Sequence, residues 1–330
     1  MTPQPPSERE TPTAPPAAAD ADGSPRGVFA ATLTPLDDEL APDHALLVAH
    51  HKWLLRTGCD GLAVLGTTGE ANSFTVEERI GILECLAEAG VPGEAIIAGT
   101  GCCAVADTVR LTRRAIELGA AGVLMLPPFY YKNVSDDGLF AAYAEVIERV
   151  GDDRLRIYLY HFPAMSGVPL GPALIERLLE AYPGTVVGIK DSSGDWNNMA
   201  AMCRDFPGFS VFSGSEEFLL PILRAGGAGC ISATTNVTAP LAARLYGAWR
   251  SPEAESLQAE LTAVRRVFHA YPFTAGVKEV MGRLTGRASW RNVRPPLVRL
   301  TPEEGEALLA GLDAAGYSRL AADAPGETAK

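Results

Sequence analysis

The sequence predicts a (β/α)8 TIM barrel with a C-terminal helical extension. Three observations carry that expectation. Eight short apolar, β-branched runs punctuate residues 27–234. Stretches with apolar residues at helical spacing separate them. The runs are too apolar for half-exposed antiparallel strands and fit a parallel sheet covered on both faces. The competing arrangement, an open doubly wound sheet, calls for a G-x-G-x-x-G turn after its first strand. Here the first strand leads into TPLDDELAPD, which cannot form that turn.

Residues 1–26 carry prolines at 3, 5, 6, 12, 15, 16 and 25 among alanine, threonine and charge, a mixture with no apolar face to bury. They read as a disordered tail. GVFAATLTPL (27–36) is the first strand, and HALLVAHHKWLLRTG (44–58) is a helix closed by Gly58. Further strands are GLAVLG (61–66), EAIIAGT (94–100), GVLMLPP (122–128), RIYLYHF (156–162), TVVGIK (185–190), FSVFSG (209–214) and GCISAT (229–234). Helices such as VEERIGILECLAEAG (76–90) and ALIERLLEAY (173–182) lie between them. The barrel thus spans 27–248. Residues 249–318 show three more helical patterns and no strand pattern, so they form an appended helical layer; 319–330 is a second disordered tail.

The 330 residues are 47% hydrophobic and 21% charged, which suits a globular enzyme and excludes fibrous or wholly disordered chains. Lys and Arg number 28 against 40 Asp and Glu, a net charge of −12. Such a surface repels phosphate backbones, so no nucleic-acid partner is expected. No run of 18 apolar residues occurs, so no membrane span is expected either. The six cysteines form no CxxC pair, and the N-terminus lacks the apolar core of a signal peptide. A cytoplasmic protein with free thiols follows. There is no HxH or HExxH spacing, so no metal is expected.

In such a barrel the chemistry gathers where strands end. Lys190 closes VVGIK. Lysines are seldom buried without a task, and burial favours the neutral amine, a nucleophile toward carbonyl carbon. The alternative is a lysine reaching solvent or pairing with Asp191. Gly66-Thr67-Thr68-Gly69-Glu70 follows the second strand; its backbone N–H groups and two hydroxyls could hold a carboxylate or phosphate, or form a plain turn with a threonine cap. Tyr160 ends the fifth strand, where alternation sets Tyr158, Tyr160 and Phe162 on one face and His161 on the other. Its phenol could move protons or simply pack. Tyr130 and Tyr131 share that ambiguity. His161 is a candidate substrate contact, whereas His44, His50, His51 and His269 fall on helical patterns as surface or packing residues.

Taken together, GTTGE, PPFYY, YHFPAMSG, GIKDSSGD, GSEE and GCISATTN resemble, in this order, the dihydrodipicolinate synthase/N-acetylneuraminate lyase family. The likeness covers roughly 27–318. It implies a (β/α)8 barrel and class I aldolase chemistry on pyruvate or a related 2-oxo acid, with an aldehyde as partner. By this resemblance Lys190 forms the Schiff base, Tyr160 transfers protons, and Thr67 and Thr68 bind the carboxylate, with the Thr67 hydroxyl in the relay. Tyr131 matches a tyrosine that family members insert into a neighbouring subunit's site, which implies a homodimer or homotetramer. Ile231 matches the residue whose carbonyl faces the site, and Gly214 and Ser215 fall in a substrate-binding segment. No cofactor is implied, because the protonated imine on Lys190 polarises the substrate.

One position departs from the pattern. Dihydrodipicolinate synthases carry an arginine two residues after the proline of the fifth-strand loop, where it grips the second substrate's carboxylate. Met165 stands there in this chain, and it cannot make a bidentate contact. A 2-keto-3-deoxy acid or 4-hydroxy-2-oxoglutarate type of substrate fits better, with His161 and Ser166 available to hydroxyl groups. The alternatives are 4-hydroxy-tetrahydrodipicolinate synthase with its arginine replaced from elsewhere, an N-acetylneuraminate lyase-like enzyme, and a catalytically silent 2-oxo acid binding protein.

Overall fold

The computed structural model describes residues 25–317. Eight parallel strands close into a barrel in sequence order: β1 (Gly27–Ala31), β2 (Gly61–Val64), β3 (Ile96–Gly99), β4 (Gly122–Met125), β5 (Ile157–His161), β6 (Val186–Asp191), β7 (Ser210–Ser213) and β8 (Gly229–Ser232). Around them run α1 (His44–Arg56), α2 (Val76–Glu88), α3 (Val105–Glu117), α4 (Asp136–Val150), the one-turn α5 (Pro163–Ser166), α6 (Pro172–Ala181), α7 (Trp196–Asp205), α8 (Leu219–Arg224) and α9 (Thr235–Ala248). The C-terminal layer is α10 (Ala254–Val267), α11 (Phe273–Thr285) and α12 (Pro302–Ala314). The predicted tails lie outside the described residues except for Pro25 and Arg26. Arg26 is anchored, its guanidinium donating to the Gly227 carbonyl at 2.5 Å.

Strands are shorter than the apolar runs that announce them, and each end has a cause. β1 stops at Ala31 because the chain soon turns to other elements: Leu33 N donates to Asn236 Oδ1 of α9 (3.1 Å) and Thr34 Oγ1 to the Gly69 carbonyl of the turn after β2 (2.9 Å). β4 stops before Pro127 and Pro128, which have no N–H for a ladder. Helix starts follow local chemistry. Thr75 and Glu78 form a capping box on α2, as Thr301 and Glu304 do on α12.

Two apolar regions frame the site. Phe29, Ile97, Leu124, Tyr158, Phe212 and Ile231 fill the barrel interior. The Tyr158 ring fits there because Gly188 leaves room; a Cβ at that position would lie 2.6 Å from it. A second cluster joins Leu33 and Val237, just past the C-terminal ends of β1 and β8, to Val277, Met281, Trp290 and Leu308. The C-terminal layer is therefore seated beside the catalytic end of the barrel.

Buried histidines lock this seat. Asn236 donates to the Ala31 and Ala233 carbonyls, so its Oδ1 must accept, and His50 Nε2 carries the proton between them at 2.8 Å. His50 also packs against Trp53 and Trp290, with centroids 5.8 and 5.0 Å away. Burial pulls His50 down from 6.5 to about 4 and His51 to about 3. Both rings are neutral in the fold, while the unfolded chain takes up protons near pH 6.5. Stability therefore falls as pH drops from about 6.5 toward 4. His50 alone is expected to account for about 2–3 kcal/mol of that loss by pH 4.5. Urea midpoints should show a shallower slope over this range in His50→Gln, which keeps a donor for Asn236; an unchanged slope would refute the assignment.

Candidate active site

β5 and β6 pair in a register that sets Tyr160 beside Lys190. Because alternate residues share a face, both side chains enter the barrel mouth. They are 3% and 4% exposed. Lys190 Nζ donates to the Tyr160 hydroxyl at 3.3 Å and lies 4.5 Å from the centre of its ring. The same hydroxyl is 3.3 Å from Thr67 Oγ1. Amine, phenol and threonine hydroxyl thus form one hydrogen-bonded chain across three strand ends. Phe162 stacks on Tyr160 at 5.8 Å, and Phe29 and Phe212 make an apolar floor. Water is kept from the amine on those sides.

The turn after β2 is built under strain. Leu65 and Glu70 both adopt left-handed backbone, at φ 62° and 58°. Each costs about 1–3 kcal/mol for a residue other than glycine and persists only where its surroundings enforce it. Glu70 N bonds back to the Thr67 carbonyl (3.1 Å) and Ala71 N to the Gly66 carbonyl (3.2 Å). Among the described residues, the Thr67, Thr68 and Gly69 amides donate to no backbone acceptor. Consecutive free N–H groups in such a turn make a nest for an anion.

Other predicted residues fall in different places. Ile231 faces the barrel interior from β8. Gly214 closes on β6, its N–H donating to the Asp191 carbonyl at 2.6 Å; a Cβ would lie 2.2 Å from Ser192 Oγ. One expected substrate contact, His161, needs correction, and two more, Ser166 and Ser215, bond within their own turns. His161 lies on the outer side of the barrel wall, where its Nδ1 accepts from Leu170 N at 3.1 Å. The reason is the alternation that turns Tyr160 inward. Burial lowers its pKa while Asp191 opposes the shift. The Ser166 hydroxyl closes its own turn, donating to the Val168 carbonyl and accepting from Val168 N, both at 3.1 Å. The Ser215 hydroxyl caps a short 3-10 turn by accepting from Glu217 N. Met165 and Tyr131 stand at the rim, 64% and 73% exposed, and neither touches Lys190 within the chain.

Sequence reasoning missed two buried acids. Glu70 and Lys278 form an ion pair with no exposure of either side chain. Glu216 receives the hydroxyls of Ser232, Thr234, Thr235 and Thr238. Its signal was present as hydroxyl-rich SATTNVT after GCI, but hydroxyls at a helix start usually read as caps. A concavity of about 700 Å³ on the outer faces of α2, α3 and α4 shares no residue with the mouth, so volume alone does not mark the site.

Residues 24–315 match the Dihydrodipicolinate synthetase family profile. The chain belongs to that family. An uncharacterized DapA-like lyase of Chloroflexus aurantiacus is 35% identical over 292 residues, 88% of this chain and 96% of that protein. The crystal structure of dihydrodipicolinate synthase from Agrobacterium tumefaciens superposes with a TM-score of 0.82 at 32% identity, covering 88% of this chain and 99% of the other. YagE, a prophage protein of the dihydrodipicolinic acid synthase family from E. coli K12 crystallised with pyruvate, gives 0.81 at 28% identity over 88% and 99%. As a member of the dihydrodipicolinate synthetase family, the protein is a lyase of the class I aldolase type. No helix among the described residues is long and apolar enough to cross a membrane.

Tyr160→Phe keeps the ring stack and removes the shared hydroxyl. Turnover should fall about 10²–10⁴-fold, the usual contribution of a proton-transfer group. Steady-state rates beside pyruvate binding will separate a chemical defect from a binding defect; unchanged turnover would exclude the role.

Proposed function

We propose that the protein is a Schiff-base lyase that cleaves or forms, by an aldol or dehydration step, a pyruvate-derived 2-oxo acid of the 2-keto-3-deoxy or 4-hydroxy-2-oxoglutarate kind. The observation that carries this reading is the chain from Lys190 through Tyr160 to Thr67 beside the free amides of the turn. Carboxylate and keto carbon are adjacent in a 2-oxo acid, so one group seats in the turn while the other meets the amine. Lys190 Nζ adds to the keto carbon. Tyr160 delivers a proton to the departing oxygen, water leaves and an iminium forms. The iminium draws electrons from the neighbouring carbon, which then loses a proton, or breaks its bond to an aldehyde in the cleavage direction. The turn amides are already oriented, so they hold the carboxylate without reorganisation. The polarising charge is the iminium itself, and no cofactor is needed for this course. We read Tyr131, on the exposed rim, as completing the relay from a neighbouring copy in a homodimer or homotetramer.

Trapping with borohydride and pyruvate should add a stable mass to a peptide containing Lys190, read by intact and peptide mass. Persistence of the adduct in Lys190→Ala would overturn the assignment.

The exposed thioether of Met165 argues for a second substrate that is not anionic at this point. An arginine–carboxylate contact is worth about 1.5–3 kcal/mol, so its loss lowers efficiency toward aspartate semialdehyde by roughly 10–150-fold. A second reading, 4-hydroxy-tetrahydrodipicolinate synthase, draws on Lys132, whose ammonium lies 2.7 Å from the Ser166 carbonyl, one residue from Met165. The discriminating assay compares condensation of pyruvate with the semialdehyde against cleavage of several 2-keto-3-deoxy acids. Our reading requires the wild type to favour cleavage and Met165→Arg to gain on the semialdehyde. Efficient condensation by the wild type, abolished in Lys132→Met, would establish the second reading instead.

A further inference from the structure

We propose that Glu70 and Lys278 are positioning residues through which the C-terminal helical layer sets the geometry and charge of the carboxylate-binding turn. The inference rests on the reading above that Thr67 and Thr68 hold the carboxylate of the 2-oxo acid.

Glu70 ends that turn in left-handed backbone, and its N–H closes the loop onto the Thr67 carbonyl. Whatever fixes Glu70 therefore fixes the peptides at Thr67 and Thr68. Its carboxylate is held on both oxygens by the C-terminal layer: Lys278 Nζ donates to Oε1, and Arg294 N to Oε2 at 2.8 Å. Lys278, fully buried on α11, donates also to the Asn292 carbonyl at 2.7 Å. Asn292 Nδ2 reaches back to the Asp37 carbonyl at 2.6 Å. The Arg294 guanidinium grips Glu78 on both oxygens, the Ser73 carbonyl at 2.8 Å and the Leu40 carbonyl at 2.9 Å. From the other side, Thr34 Oγ1 holds the Gly69 carbonyl at 2.9 Å. Every one of these anchors lies outside the turn, and together they bear on a segment that has no regular structure of its own.

Stability alone does not call for this arrangement, since a buried ion pair often does no better than apolar residues of the same size. Its particular consequence is electrostatic and geometric. An unpaired carboxylate two residues from Thr68 would repel an incoming carboxylate in a low-dielectric site. Lys278 cancels that charge, and the fixed directions of its bonds hold the strained turn open with its amides free. Arg294 N fixes the second oxygen, so Glu70 cannot swing toward the mouth.

The test uses the full-length enzyme and second-order rate constants for borohydride trapping at Lys190 with two carbonyl compounds. Pyruvate carries a carboxylate; hydroxyacetone does not. Glu70→Gln, Lys278→Met and the charge-balanced double variant Glu70→Gln/Lys278→Met are compared with wild type, with melting temperatures alongside. Lys278→Met leaves an uncompensated buried acid, so the double variant carries the test if that protein does not fold. Pyruvate trapping should fall at least 10-fold in Glu70→Gln and in the double variant, while hydroxyacetone trapping stays within about twofold. Where Lys278→Met folds, it should lose more pyruvate reactivity than the double variant. Pyruvate trapping within twofold of wild type in the folded variants, or equal loss for both compounds, would overturn the proposal. Failure of wild type to label at Lys190 with pyruvate would instead overturn the Schiff-base reading on which it rests.

Discussion

The register between β5 and β6 is the constraint on which the site depends. Tyr160 lies opposite Lys190 and His161 opposite Asp191. Since successive side chains alternate across the barrel wall, the first pair faces the mouth and the second faces the helices. A slip of β6 by one residue would put Asp191 in the pocket and Lys190 in the outer core, and the same slip of β5 would replace Tyr160 with His161. The register is held from both sides. Tyr158 fills the interior where Gly188 leaves room for its ring, and His161 accepts from Leu170 outside. Parallel closure supplies the rest, because each strand is fixed by two neighbours and the ring has no free edge.

Around that pair, the catalytic end is stiffened by polar groups that apolar packing could not direct. Asn236 ties the end of β1 to the segment after β8 and accepts a hydrogen bond from His50. Glu216 gathers four hydroxyls at the start of α9, while Gln258 of α10 donates to its backbone carbonyl at 2.9 Å. Such networks rigidify only when their members are satisfied. Here Asn236, Glu216, Gln258 and Lys278 each find partners on neighbouring elements. The C-terminal helices are thus part of the catalytic end, through Leu33 and Val237 on the apolar side and through Lys278 and Asn292 on the polar side.

Membership of the dihydrodipicolinate synthetase family accounts for the barrel and for the class of chemistry. It does not by itself fix the second substrate. In this chain the rim carries Tyr130, Tyr131, Val134 and Met165, all exposed and mostly apolar, with Lys132 tied to carbonyls of two loops. The deep part of the pocket is therefore committed by hydrogen bonds, whereas the outer part is set by side chains that few internal contacts restrain. Substitutions at the rim would leave the amine, the phenol and the turn undisturbed.

The sequence by itself determined the eight β/α units, the C-terminal helices and the candidacy of Lys190, Tyr160, Thr67 and Thr68. Each of these is a local property: a period of two or 3.6, a residue closing an apolar run, a glycine-bounded turn. It also determined that His161 and Tyr160 face opposite ways, though alternation alone did not say which way was inward. Tertiary structure decided what distance along the chain conceals. Lys190 meets a phenol 30 residues away, and Lys278 meets a carboxylate 208 residues away. Ser166 and Ser215 turned to their own loops, because a hydroxyl beside a tight turn finds a backbone partner before it finds a ligand. Glu70 looked like the last letter of a turn motif, and only the burial of its side chain against α11 made it a structural charge. Periodicity records which face a residue takes; it carries no record of which residue from another part of the chain will occupy the space opposite.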